Sequence, residues 1–240
     1  MTTLRHRTVR VGALTSDQRT RMYDLFSEHY ELTTRERFEA DLNEKQDVIL
    51  LEEAATGTLR GFSTQRVYTP EELGERCWVV YSGDTVIDRA FWGQKALQVG
   101  MLAYLIRLQW RHPTSPVYWL LTTKGYKTYL LLTNYFPAAW PRVDAPTPPH
   151  ADALMRHLGA LKFGPAYDPA TGLVRTGQDR VRSGVADLRP DDRKNPHIDF
   201  FARRNPGHAD GDELLCLAHI RLRDPPLRLL GIAARRRRRR

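Results

Sequence analysis

The sequence predicts an α/β fold, because short apolar strands alternate with amphipathic helices in the order β-α-α-β-β-β-α-β-α along residues 8–136. Two observations carry the prediction. From Lys95 to Trp110, the residues Leu97, Gly100, Met101, Tyr104, Leu105 and Leu108 recur at helical spacing and form one wide apolar stripe. On either side, Cys77–Asp88 and Val117–Thr123 are compact apolar runs of strand length, bounded by turn residues.

The remaining elements follow in order. Thr8–Val11 reads as a short strand. Ser16-Asp17 supplies helix-capping chemistry, and Met22, Leu25, Phe26, His29 and Tyr30 continue one apolar face. Thr33-Thr34 offers a second cap, with Phe38 and Leu42 as the buried positions of a helix ending near Lys45. Asp47–Glu53 is a strand, Thr56-Gly57 a turn, and Leu59–Tyr68 alternates like an antiparallel partner. Pro113 and Pro116 end the long helix, and Gly125–Asn134 reads as another. Beyond a Pro-rich connection at 144–149, Ala151–Leu161 is a predicted helix and Leu214–Ile220 a late strand. Between them, 164–212 reads as loops and short pieces. The divisions are a core at 1–143, a C-terminal extension at 144–234 packed on it, and a basic tail at 235–240.

Bulk properties exclude several classes. With 240 residues, 41% hydrophobic and 27% charged, the chain is neither collagen-like, coiled-coil nor mostly disordered. No apolar run approaches the roughly 20 residues of a bilayer span. The first residues have no apolar stretch, so no secretory signal is expected. Cys77 and Cys216 stand far apart without metal-ligand spacing, so no disulfide framework and no metal are expected, and the expected compartment is a reducing cytoplasm. Of the net charge of +9, six belong to the run Arg235–Arg240. That pattern suits a solvated tail better than a nucleic-acid surface. Tyr135, Phe136, Trp140 and Tyr167 are read as exposed aromatics that either join a subunit interface, making an oligomer, or cap the core.

The element order resembles that of the GNAT (N-acetyltransferase) superfamily, over residues 8–136. The resemblance implies a mixed, mostly antiparallel sheet flanked by helices, with the C-terminal extension appended. It also implies that the fourth strand, Trp78–Asp88, carries the catalytic backbone and that the fifth, Val117–Thr123, splays away to admit the pantetheine arm of acyl-CoA. The loop opening the long helix, Arg89–Ala96, would cradle its pyrophosphate through Gly93, Gln94 and Lys95. Here the loop departs from the family pattern Arg/Gln-x-x-Gly-x-Gly/Ala. Trp92 stands at the first position, and Lys95 and Leu97 stand where the glycines belong, which puts acyl-CoA binding in doubt.

Ser82-Gly83-Asp84-Thr85 sets hydroxyls and a carboxylate inside an apolar strand, and a buried carboxylate needs a partner or a task. Strict alternation would put Ser82, Asp84 and Val86 on one face, with Gly83, Thr85 and Ile87 on the other. Asp84 is the candidate general base or ammonium anchor, with Ser82, Thr85 and Trp92 beside it as substrate contacts. Lys124-Gly-Tyr-Lys-Thr-Tyr129 follows a strand end directly, a place for anion contacts by Lys124 and Lys127. Tyr126 or Tyr129 would be the general acid, a role the resemblance implies at this helix. In Glu28-His-Tyr-Glu-Leu-Thr-Thr-Arg35, the residues Glu28, His29 and Tyr30 are candidates for proton transfer and acceptor contact. Arg35 is a candidate for bidentate binding of an anion.

Three functions fit this reading. The first is acyl transfer from a thioester, on CoA or a carrier protein, to an amine of a small molecule. The second is a CoA-independent tailoring enzyme of natural-product biosynthesis acting on a charged, amino-acid-like or carrier-bound substrate, with an acidic carrier as partner and an amine displacing an anionic leaving group to close a ring. The third is a non-enzymatic protein binding a partner or nucleic acid through its basic segments.

Overall fold

The computed structural model describes residues 3–30, 34–74, 76–175, 188 and 190–221. The basic tail and part of the 164–212 stretch lie outside the described residues. The chain runs β1 (Leu4–Arg10), α1 (Ser16–Ser27), α2 (Arg35–Asn43), β2 (Asp47–Glu53), β3 (Leu59–Tyr68), β4 (Trp78–Ile87), α3 (Ala96–Arg111), β5 (Val117–Thr123) and α4 (Tyr126–Tyr135). It continues through β6 (Ala139–Trp140), α5 (Pro149–Phe163), β7 (Tyr167–Asp168), β8 (Leu173–Val174), α6 (Pro196–Arg204) and β9 (Glu213–Ile220).

All these strands form one sheet in the order β1-β2-β3-β4-β5-β9-β8-β7, with β6 pairing β9. Its ladders are antiparallel except for the parallel pair β4–β5. The fold is therefore the GNAT-like α/β arrangement that the element order implied. The helix at 196–204 was not expected. Its start is set by Asn195, whose side chain accepts from the His197 N–H, with Pro196 at the first helical position.

The sheet is covered on both faces. On one, α3 and α4 bury Leu105, Tyr129 and Leu132 against Ile49, Val80, Trp119 and Leu121, and Phe201 of α6 joins the same cluster. Gly100 lets α3 lie close, since a Cβ there would stand 3.0 Å from both His6 and Ile49. On the other face, α1 and α2 pack Met22, Leu25, Phe38 and Leu42 over Val48, Leu50 and Phe62. Alongside them, α5 packs Leu154 and Leu158 over Tyr118, Leu120 and Leu217. The aromatics read as exposed are not so: Phe136, Trp140 and Tyr167 are buried in these clusters, and Tyr135 packs on the first. Among the described residues no helix is long and apolar enough to cross a membrane.

Candidate active site

Strands β4 and β5 pair only from Trp78↔Val117 to Ser82↔Leu121 and then part. At that point β4 carries a bulge: Gln65 faces Ser82 and Ser63 faces Thr85, so β4 spends one extra residue against β3. This overturns the strict alternation expected for β4. Ser82, Thr85 and Ile87 share the α3 face, while Gly83 and Val86 lie on the α1/α2 face.

A cleft of about 980 Å³ passes through the opening. On the α3 side it is lined by Trp92–Lys95, Gln98, Met101, Trp119, Tyr126 and Lys127. On the other side it opens between α2 and α5, lined by Phe38, Asp41, Tyr81, Lys162 and Phe163.

Several sequence-selected residues meet here. Ser82, Asp84, Thr85, Trp92, Gly93, Gln94, Lys95, Lys124, Tyr126, Lys127 and Tyr30 all line the cleft. Trp92 is 45% exposed and its indole N–H donates to the Ile87 carbonyl at 2.8 Å. Lys124 pairs with Glu213 at 3.1 Å and sits 5.5 Å from the Tyr30 ring. The Tyr126 hydroxyl donates to Asp192 at 3.4 Å. At the start of α3, Gly93 takes φ +84°, which only glycine adopts without strain, and the Gln94 side chain accepts from the Leu4 N–H at 2.9 Å. Among the described residues no side chain caps α3, and its first turn has no acidic residue.

Others are elsewhere. Tyr129 is buried and its hydroxyl donates to the Pro141 carbonyl at 3.0 Å, away from the cleft lining. Burial also pushes its phenol pKa well up. Glu28 pairs with Arg21 at 3.6 Å, and Arg35 donates to Thr20 at 2.9 Å, neither among the lining residues. His29 is buried behind Trp92, with ring centroids 6.4 Å apart, and its Nδ1 bonds the Leu25 carbonyl at 2.9 Å. Glu28 and His29 follow the last turn of α1, the first exposed and the second buried, while Phe26, Arg37, Phe38 and Asp41 line the cleft.

Sequence reasoning missed a charged cluster beneath the bulge. Lys45 is buried, donates to the Asp41 carboxylate and to the Asp41 carbonyl at 2.9 Å, and lies against Gly83. Lys162 of α5 reaches across to Asp41 at 3.4 Å and Glu44 at 2.8 Å. Burial pushes the Asp41 carboxyl up, but the two ammonium groups outweigh it and hold the carboxyl below its ordinary value. Tyr81 also lines the cleft. Burial, then the carboxylates of Glu213, Asp41 and Asp84, push its phenol pKa well up and keep it protonated. The run Ser63-Thr64-Gln65, three polar residues inside an apolar strand, was the signal that could have pointed to this region.

No family model matches the sequence, and no curated protein matches it. Solved structures are similar to part of it. One is a probable N-acyltransferase of Enterococcus faecalis, 17% identical with a TM-score of 0.41, covering 53% of this chain and 31% of that protein. Another is ElaA of Escherichia coli, 16% identical with a TM-score of 0.40, covering 57% of this chain and 88% of that one. A third is an aminoglycoside acetyltransferase from an uncultured soil metagenomic sample, in complex with sisomicin. It is 13% identical with a TM-score of 0.42, covering 59% of this chain and 93% of that one. This chain thus spans about a third of the Enterococcus protein's length. The strand order and the parting of β4 from β5 carry the fold argument without these scores.

Proposed function

We propose that the chain transfers an acyl group from a thioester donor, on CoA or a carrier protein, to an amine of a small molecule. The observation that supports this most is the cleft through the β4–β5 opening, which lets two reactants meet from opposite faces of the sheet at the β4 bulge. A two-substrate displacement needs that approach.

The residues fit the phosphate end of CoA in charge. The α3 N-terminus has no acidic residue in its first turn, Lys95 is at its N-cap, and Lys124 and Lys127 line the same cleft. Leu97, at a position the family gives to glycine, packs partly against the core while bordering the cleft. When bound, the thioester supplies an activated acyl carbon.

The chain's own residues would do the rest. Asp84 would hold the acceptor ammonium and take its proton. Backbone N–H groups at the bulge would polarise the carbonyl, and Tyr126 would give a proton to the departing thiolate. In the balanced step the amine nitrogen bonds the acyl carbon, the carbon–sulfur bond breaks, and the sulfur leaves as a thiol. Thiol release on mixing acetyl-CoA with a panel of amines tests this. Turnover is expected with at least one amine, falling about 10²- to 10⁴-fold in Asp84→Asn; a rate indifferent to Asp84→Asn would remove Asp84 from the mechanism.

The CoA-independent reading is favoured by one observation, Lys95 and Leu97 in place of the loop glycines. On that reading, Arg37, Lys124 and Lys162 would hold an anionic substrate group in the same cleft.

A further inference from the structure

Five side chains make a continuous hydrogen-bonded chain across the floor of the cleft. The Trp119 indole N–H donates to Ser82 Oγ at 2.8 Å, and Ser82 donates to Gln65 Oε1 at 2.9 Å. Gln65 Nε2 donates to Ser63 Oγ at 2.8 Å, and Ser63 Oγ stands 2.8 Å from Thr85 Oγ1. The chain ties β5 to β4 at the last paired residue before the strands part, then crosses to β3 and returns to β4 beyond the bulge. Its first four members are buried, with Gln65 fully so, while Thr85 is exposed and lines the cleft.

The direction of this chain follows from the chemistry of its ends. An indole N–H can only donate, so Ser82 must accept there and send its own proton on. The nearby Met101 sulfur, 3.7 Å away, is the weaker acceptor, which leaves Gln65 Oε1 as the target. That fixes the amide: its oxygen faces Ser82 and its NH₂ faces Ser63. Ser63 then accepts from Gln65, and its hydroxyl proton has Thr85 Oγ1 to reach. With the Ser63 proton directed at it, Thr85 is left with its own proton to give, and among the described residues the Gly83 carbonyl at 3.3 Å, a long contact, stands to receive it.

We infer that this relay fixes Thr85 as a hydrogen-bond donor toward the cleft, so that the group bound at the strand split presents an acceptor oxygen there. Resting on the acyl-transfer reading, that oxygen is the thioester carbonyl. Thr85 then selects for an acyl thioester over a thioether, and Ser63, Gln65, Ser82 and Trp119 are positioning residues acting through it. An ammonium, which only donates, is disfavoured at Thr85, and the acceptor amine is left to the carboxylates that line the cleft, Asp41 and Asp84.

The test is calorimetric titration of the full chain with acetyl-CoA and with S-ethyl-CoA, which lacks the carbonyl. The wild type is expected to prefer acetyl-CoA by about threefold to tenfold, the worth of one neutral hydrogen bond. Thr85→Val should erase the preference, Thr85→Ser should restore it, and Gln65→Met should weaken it without touching the ligand. A preference that survives Thr85→Val overturns the inference. Should neither compound bind the wild type, free acyl-CoA falls as the donor by itself, and the relay is read from the ¹⁵N-labelled Trp119 indole N–H. That proton should exchange slowly and its signal should move in Gln65→Met and Thr85→Val but not in Thr85→Ser. An indole signal indifferent to Gln65→Met overturns the relay.

Discussion

Lys45 is a lysine that the folded chain cannot leave unpaired. Its side chain is fully buried, and its charge is answered by the Asp41 carboxylate and one backbone carbonyl. Asp41→Asn keeps the shape and removes the anion, so it should destabilise the fold by about 1–3 kcal/mol, toward the lower end because Asp41 is itself partly exposed. Urea unfolding measures this. The pH dependence has a definite sign. Because the folded Asp41 pKa is depressed, its contribution is complete above the unfolded carboxyl's titration near about 4 and is lost as pH falls through the folded value. Asp41→Asn should therefore flatten the acid limb of the stability curve. At the neighbouring Gly83, a Cβ would stand 2.6 Å from Thr64 Oγ1 and 2.9 Å from Lys45 Cε. Gly83→Ala should cost about 1–3 kcal/mol and reshape the bulge, which thermal unfolding together with ligand binding would register. None of this was legible beforehand. Asp84 stood out because it interrupts an apolar run, and it lines the cleft. Asp41, Lys45 and Lys162 interrupt no such run, and only the fold brings α2 and α5 together.

At the scale of elements, periodicity located β2, β3, β4, β5, β9 and the long helix to within a residue or two, because a helix of this stripe width or a buried strand has few alternative readings. By contrast, β1 begins at Leu4 rather than Thr8, and the two-residue strands β6, β7 and β8 are too short to show a period. Caps were less readable. The sequence pointed to Ser16-Asp17, whereas Thr15 is the N-cap of α1, accepting from the Gln18 N–H at 3.2 Å while the Gln18 side chain accepts from the Thr15 N–H at 3.0 Å. Thr15→Ala should cost about 1 kcal/mol, measurable as a lowered midpoint in chemical unfolding, and Ser16→Ala should cost far less. The β4 bulge was the consequential miss. A single extra residue reverses the face of everything after it, so a period of two gave Thr85 to the wrong side. Tyr129 went astray for the related reason that a helix turns: Tyr126 and Lys127 face the cleft, and Tyr129 faces the core.

Over the whole molecule, the long-range fact that matters is where two strands stop pairing, and no local pattern reports it. The GNAT resemblance anticipated the splayed fifth strand from element order. The geometry adds that β9 closes the far side of β5, so the opening is held between two fully paired halves of one sheet. On the acyl-transfer reading, this opening receives an acyl thioester with its anionic end at the start of α3. Calorimetric titration of acetyl-CoA into the wild type and into Lys95→Glu measures this. Saturable binding by the wild type and at least tenfold weaker binding by the variant are expected, since reversing the charge at the helix start sets like charges together. Binding that is absent from the wild type would rule out free acetyl-CoA as the donor, and binding that ignores Lys95→Glu would remove the start of α3 as the seat of the anionic end.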